Sequence, residues 1–462
     1  MKNEILNNLT LNKYNFYILI VIFVNKSHFM LIRFSISNFC SINSEQEFSM
    51  VAAPIKEKNE ACNENITTIN DDIDLLKSAV VYGANGSGKS NFLKAFQFFK
   101  SLIQVSVILP PNQVINLHPF LLNNESQKQN SSFEISFFFK NKIFRYGYEI
   151  NPSSIIEEWL YVKEKRETLI FYRKDDAIDI NQQYPIFDEL YSKKMIRNNA
   201  LLLSLAAQFN DETAKTILEW LGSMSSISGL DDQLYLNYTL EKLNNPEILE
   251  QIISLLQVAD MGITNLKVTE QDGEQVSFSI KANNPNLSLQ RQKSKVKNLN
   301  SIKQILNKDG EIVNSIEMPF ETFESEGTKK FFHLLGPVLD TLQKGNVLII
   351  DELDTKLHPL LTQRIVKLFN SNATNPHNAQ LIFATHDTNL LNAKVFRRDQ
   401  IWFTEKDKLG ATQLYSLTDF KPRNDEQLEK NYIAGKYGAI PYLGDFDELF
   451  EHLTKVLPNE KR

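Results

Sequence analysis

Residues 78–90 read SAVVYGANGSGKS, a short apolar run that breaks into glycines and ends on Lys89-Ser90. Gly83-Ala84-Asn85-Gly86-Ser87-Gly88-Lys89-Ser90 fits GxxxxGK[ST] in full, with a strand-like segment before it and the helically spaced NFLKAFQFFKSLI after it. Glycines are needed because a backbone that curls around an anion turns its N–H groups inward and leaves no room for side chains. The positive end of the following helix adds to the same field. The motif predicts a phosphate-binding loop between a strand and a helix, and with it an α/β fold.

On that reading ATP and Mg²⁺ are the expected ligands. Lys89 reaches the β- and γ-phosphates, Ser90 ligates the metal, and Gly83, Asn85, Gly86, Ser87 and Gly88 complete the cradle. A second segment, Val347-Leu348-Ile349-Ile350-Asp351-Glu352, is an apolar strand ending in paired acids. Such a strand delivers carboxylates to the C-terminal edge of a sheet, where open α/β folds bind ligands. Asp351 is expected in the Mg²⁺ shell, as in a Walker B strand, and Glu352 is expected to orient and polarise the attacking water. A third strand, LIFAT, ends at Thr385-His386-Asp387, so His386 is placed to hydrogen-bond the γ-phosphate.

Lys89 and Asp351 stand 262 residues apart, too far for a compact phosphate-loop domain without a large insertion. The run from Ile32 alternates (Ile32, Phe34, Ile36) and predicts an early strand; a polar, loop-like stretch follows through Asn70. FEISFFF (133–139) and FRYGYEI (144–150), joined by Lys-Asn-Lys, predict a β-hairpin, and IIEEWLYV and LIFYR extend it into an antiparallel patch. From about Asp188 to Gly262 the texture is helical, with Ile248, Ile252, Leu255 and Leu256 at intervals of three and four. Strands and helices then alternate, predicting a mainly parallel sheet.

Taken together these features resemble the ABC-type ATPases of the SMC, DNA-repair and OLD-like group, whose nucleotide-binding domains are interrupted by arms or lids. The resemblance implies an ABC-type P-loop NTPase fold with an antiparallel β subdomain and a mixed helical and β insertion between Walker A and the signature motif. It implies a division into an N-terminal extension (1–29), an N-terminal ATPase lobe (30–175), an inserted lid or arm (176–318) and a C-terminal ATPase lobe (319–462). Ser325-Glu326-Gly327-Thr328, 26 residues before Asp351, occupies the place of the signature loop, though its wording departs from LSGGQ. Ser325 and Gly327 would then contact nucleotide; an ordinary helix cap at Ser325 is the alternative. Leu353-Asp354-Thr355-Lys356-Leu357-His358-Pro359 looks like the D-loop, bringing Asp354 to the nucleotide. One chain carries one set of motifs, so the resemblance implies a homodimer with ATP sandwiched head to tail. No glutamine stands out as the Q-loop residue.

More narrowly, the chain is similar to the AAA-annotated ATPases of bacterial abortive-infection operons, the AbiLi or RloA-like group. MLIRFSISNFCSI, VVYGANGSGKSNFLKAF, SEGTKKFF, LIIDELDTKLHPLL, LIFATHDTNLL, RRDQIWFTEK and KYGAIPYL carry this likeness. It implies ATP-dependent anti-phage defence, beside a separately encoded effector such as an RloB-like protein or a nuclease. A DNA- or RNA-processing clamp of the SMC-like group is the alternative, and a transporter ATPase is disfavoured. Asp445-Phe446-Asp447 superficially matches the DxD of a TOPRIM nuclease, but too little chain follows it for such a domain to be expected.

The composition sets outer bounds. At 462 residues, about three domains are expected. With 50 Lys+Arg against 56 Asp+Glu, a uniformly basic nucleic-acid sleeve is excluded. Within that acidic chain, residues 275–308 hold Lys281, Arg291, Lys293, Lys295, Lys297, Lys303 and Lys308 and no acid, which suits either a nucleic-acid contact or a solvated loop. Two cysteines without metal-ligand spacing fit a reducing, cytoplasmic location. The apolar run at 14–24 is about half of what a bilayer needs, so no membrane partner is expected, and Met30 is a plausible native start.

Overall fold

The computed structural model describes residues 29–441 and 444, except 71–72, 176, 232, 282–283 and 392–393; for residues 233–234 and 271–296 the description stops at the backbone. The apolar run at 14–24 and the Asp445–Asp447 stretch lie outside the described residues.

The phosphate-loop segment forms the strand Ser78–Gly83, buried throughout, and runs into the helix Lys89–Val105. This strand belongs to a six-stranded sheet ordered Met224–Ser228, Val347–Asp351, Gln380–Ala384, Ser78–Gly83, Ile401–Lys406 and Thr412–Ser416. The first five are parallel, and the last returns antiparallel beside Ile401–Lys406. The alternation of side chains explains why these strands are apolar without a break. Ala79, Val81, Ile349, Ile382 and Ala384 point into one core with the helix Lys89–Val105, while Val80, Tyr82, Leu348, Ile350, Leu381 and Phe383 point into the other. A parallel sheet covered on both faces needs such sequences.

The first core is closed by a seven-stranded antiparallel sheet running from Ala177–Ile180 through Glu167–Lys174, Ile155–Lys163, Lys142–Ile150, Ser131–Phe139 and Met30–Ser37 to Gln46–Ser49. The Lys-Asn-Lys hairpin is present. Lys140 (φ 49°) and Asn141 (φ 62°) are both left-handed, as the tight turn that matches strand twist requires. A packed aromatic layer, including Phe34 on Phe96 at 4.0 Å, joins this sheet to the phosphate-loop helix.

The structure departs from the sequence reading in two places. The stretch before Asn70 is not all loop: it contains Gln46–Ser49 and the hairpin strand Ile66–Ile69, paired with Ile73–Leu76. The helical region 188–262 contains a strand, Met224–Ser228, that lies parallel to Val347–Asp351 at the edge of the central sheet. Beyond the helix Pro246–Val258, the chain forms a long hairpin, Asn265–Lys281 with Asn284–Leu306, to which Ile312–Pro319 adds a third strand. The side chains of Lys281, Arg291, Lys293 and Lys295 lie outside the described residues. Lys303 is engaged by the buried Glu324 at 2.9 Å, Lys297 is half-buried and Lys308 is exposed.

Candidate functional site: a phosphate loop facing an acidic strand end

The sheet order places the strands that end at Gly83 and Asp351 on either side of Gln380–Ala384, so the phosphate loop, the acidic pair and His386 emerge from one edge. Gly86 (φ 77°) and Gly88 (φ 112°) adopt backbone conformations that favour glycine, and a β-carbon at Gly86 would meet nothing within 4 Å. Asn85 and Gly86 are exposed at the loop tip, whereas Ser87 and Lys89 are buried. The Lys89 Nζ donates to the carbonyls of Gly83 (2.7 Å) and Ala84 (3.2 Å). Burial lowers the Lys89 pKa, and Asp351, Glu352 and Asp354 pull against that shift. A buried ammonium facing three carboxylates is suited to an anionic ligand that brings its own counter-cation.

Asp351 and Ser90 line one cavity of about 500 Å³, together with Ser228, Asp231, Tyr235 and Asp340. One carboxylate oxygen of Asp351, Oδ1, is buried without a hydrogen-bond partner, as is Oδ1 of Asp354. Orphaned acceptors of this kind carry a desolvation cost that a cation removes. The donor set fits Mg²⁺, a hard ion that takes oxygen ligands and holds few protein groups alongside phosphates. Among the described residues there is no cluster of three or more His, Cys, Asp or Glu arranged for a metal.

Glu352 has φ 54°, unusual for a non-glycine residue and of the kind stored at functional sites. Its carboxylate accepts from Thr355 Oγ1 at 3.2 Å. The residues that follow are tied to the neighbouring strand: Leu353 N–H donates to Ala384 O (3.1 Å), and His386 N–H to Asp354 Oδ2 (3.3 Å). His386 itself is exposed. Its pKa is lowered by partial burial and by Lys89, against the pull of Asp354, Glu352 and Asp351.

Ser325 caps the helix Glu326–Lys344, its hydroxyl accepting from Thr328 N–H at 3.1 Å. Ser325 and Gly327 do not line the cavity that holds Ser90 and Asp351. They pack instead against the segment after the acidic strand. Glu326 pairs with Lys356 at 3.0 Å, and a β-carbon at Gly327 would sit 3.0 Å from the Lys356 carbonyl oxygen.

Sequence reasoning missed Gly229. Its N–H donates to Asp351 O at 2.7 Å, its carbonyl accepts from the fully buried Lys330, and a β-carbon there would stand 2.1 Å from the Glu352 carbonyl oxygen. A lone glycine within a stretch that reads as helical was the available signal of a close backbone approach. Thr404 and Thr412, which hydrogen-bond Ser87, and Ser41, which hydrogen-bonds Thr412, left no such mark.

A glycine loop on a buried parallel strand, one strand away from a paired acid, defines a phosphate-loop nucleotide-binding α/β protein. The chain belongs to the family described as "AAA domain, putative AbiEii toxin, Type IV TA system", which matches residues 78–392. No curated protein matches the sequence. Among solved structures, the chain is similar to the SMC head domain from Thermotoga maritima at 12% identity and TM-score 0.38, over 84% of this chain and 98% of that one. It is also similar to cbiO1 from Clostridium perfringens, part of the ABC transporter complex cbiONQ, at 12% identity and TM-score 0.29, over 85% of this chain and 97% of that one. No helix among the described residues is long and apolar enough to cross a membrane.

Proposed function

We propose that this protein hydrolyses ATP between two copies of itself and uses that cycle as a sensor or regulator in anti-phage, abortive-infection defence. The observation that carries the hydrolytic reading is the meeting of Ser90 and the orphaned Asp351 carboxylate in one cavity, beside a glycine loop closed by a buried lysine. Lys89 neutralises the transferred phosphoryl group, Glu352 accepts a proton from the attacking water, and His386 hydrogen-bonds the γ-phosphate. Ser90 and Asp351 hold Mg²⁺, which supplies charge neutralisation on the phosphate oxygens. Gly83, Asn85, Gly86, Ser87 and Gly88 direct their backbone toward the phosphates.

The dimer rests on what one chain cannot do. Ser325 and Gly327 do not line their own chain's cavity, so their contact with nucleotide comes from a partner copy, whereas Asp354 faces nucleotide beside its own Lys89. The regions 30–175 and 319–462 are the two lobes of the ATPase, 1–29 is an extension, and 176–318 is the insertion between the lobes, an arm that also lends the strand Met224–Ser228 to the central sheet. The defence role, with kinship to the AbiLi or RloA-like group and a separately encoded effector, is supported by the family's description as an AbiEii-type toxin of a type IV toxin–antitoxin system. A nucleic-acid clamp is the second reading, favoured by the placement of Lys281, Arg291, Lys293, Lys295, Lys297 and Lys303 along one long hairpin.

Glu352→Gln tests the core of the proposal. With ATP and Mg²⁺ it is expected to hold nucleotide and elute as a dimer, while the Lys89→Ala protein stays free of nucleotide. Unchanged turnover by Glu352→Gln, or a monomer under saturating ATP, overturns it. Purification with neighbouring gene products, and ATPase assays with and without DNA or RNA, separate the defence role from the clamp.

A further inference from the structure

Two hydroxyl chains converge on Ser87 from the far side of the phosphate loop. Ser87 Oγ lies 2.7 Å from Thr404 Oγ1, which in turn donates to Tyr82 O at 3.3 Å. Thr412 Oγ1 lies 2.8 Å from both the Ser87 carbonyl oxygen and Ser41 Oγ, and Asn91 Nδ2 donates to Ser41 Oγ at 2.9 Å. A carbonyl can only accept, so the single hydrogen of Thr412 goes to Ser87 O, and the Ser41 hydroxyl donates to Thr412. Asn91, Ser41, Thr412 and Ser87 then form a relay in which each hydroxyl accepts one hydrogen bond and gives one. Thr404 and Thr412 are fully buried, and Ser87 is 3% exposed.

The geometry has a directional effect. The peptide joining Ser87 to Gly88 is planar and trans, so its carbonyl and its N–H point in opposite directions. Thr412 holds the carbonyl toward the strand Thr412–Ser416, and the Gly88 N–H is thereby turned away from that strand. Contact is close enough to demand glycine: a β-carbon at Gly88 would lie 2.1 Å from Thr412 Oγ1. Both threonines come from the last hairpin of the central sheet, Ile401–Lys406 with Thr412–Ser416.

We infer that Thr404 and Thr412 are positioning residues for the nucleotide's phosphates: Thr412 fixes the Ser87–Gly88 peptide, and Thr404 the Ser87 side chain, in the anion-binding orientation before ligand arrives. This rests on the phosphate-loop reading above. A pre-set donor strengthens binding because no reorganisation is needed when the anion enters.

The test compares Thr412→Val and Thr404→Val with the serine variants at both positions and with Ser41→Ala, in the full chain. Equilibrium binding of a fluorescent ATP analogue, KM and kcat for ATP, and nucleotide-free melting are measured for each. Each valine is expected to weaken ATP binding about tenfold, visible as a raised KM with kcat changed much less. Thr412→Ser and Thr404→Ser are expected to restore affinity because the hydroxyl returns without the methyl. Ser41→Ala, which removes the relay's donor and leaves the hairpin intact, is expected to fall between. Valine variants with wild-type affinity, or serine variants as weak as the valines, overturn the inference, the latter by making the effect one of packing. Should the valines fail to fold, Ser41→Ala and the serine pair decide it: wild-type affinity in the first or loss in the second counts against. Wild-type protein that binds no ATP removes the phosphate-loop reading and this inference together, whereas wild-type binding lost in Lys89→Ala but kept in Thr412→Val removes this inference alone.

Discussion

Gly229→Ala is expected to separate nucleotide binding from hydrolysis. A β-carbon at this position would stand 2.1 Å from the Glu352 carbonyl oxygen and 2.8 Å from that of Asp351. Ordinary carbon–oxygen contacts lie near about 3.3 Å, so one of the two backbones must move by roughly 1 Å. Neither can yield cheaply. The Asp351 carbonyl is held by Gly229 N–H, Glu352 already sits in a left-handed conformation, and Gly229 O is held by Lys330. If Glu352 is the base proposed above, a displacement of about 1 Å costs on the order of 10²-fold in rate, or about 2.7 kcal/mol in the barrier. The phosphate-loop strand lies two strands from Asp351 and has no part in this contact, so ATP affinity is expected to stay within a few-fold of wild type. Steady-state ATPase assays and equilibrium nucleotide binding read the two quantities separately, and a melting curve shows that the protein is folded. Wild-type turnover in a folded variant would refute the reasoning, as would a loss of affinity as large as the loss of rate.

Other perturbations follow from buried charges. Glu158, fully buried, accepts from Tyr146 Oη (2.8 Å) and from the N–H groups of Leu202 (2.8 Å) and Leu203 (3.0 Å), and pairs with Arg173 at 2.7 Å. Glu158→Ala strands all of these, and a loss of about 3–5 kcal/mol in denaturant unfolding is expected. Lys77 is buried at the entrance to the phosphate-loop strand, where desolvation, opposed by Glu64, lowers its pKa to about 8. The unfolded chain keeps this proton to higher pH, so the destabilisation is present in full below pH 8 and fades as pH rises toward the ordinary lysine value. Lys77→Met is expected to unfold at higher denaturant than wild type at pH 7, with the gap narrowing by pH 9.5. His386→Ala is expected to lower kcat by 10²-fold or less while leaving ATP affinity nearly intact; equal loss in both would assign the residue to binding.

How much of this could be read in the sequence depended on whether the cause was local. The phosphate loop, the strand ending at Asp351 and the hairpin at Lys140-Asn141 are set by residues within a few positions of themselves, and all were legible. Met224–Ser228 was not: MSSIS is short and polar, with only Met224 buried, and it is a strand because Val347–Asp351 pairs with it from more than a hundred residues away. Tertiary pairing overrode a weak local signal. Ile66–Ile69 and Ile73–Leu76 were hidden for a similar reason, being four-residue strands within a polar stretch. Thr404 and Thr412 read as ordinary β-formers. Their hydroxyls gain significance only from what stands opposite them, three hundred residues earlier.

The strand that carries the phosphate loop is hydrogen-bonded on one side to Gln380–Ala384 and on the other to Ile401–Lys406, with Thr412 behind it. During synthesis, therefore, a ribosome that has completed the glycine loop must add some three hundred further residues before that strand has its sheet partners, roughly 15–60 s at ordinary elongation rates. A prematurely terminated product lacks the strands that flank the loop. The first motif to be translated is thus among the last to be assembled.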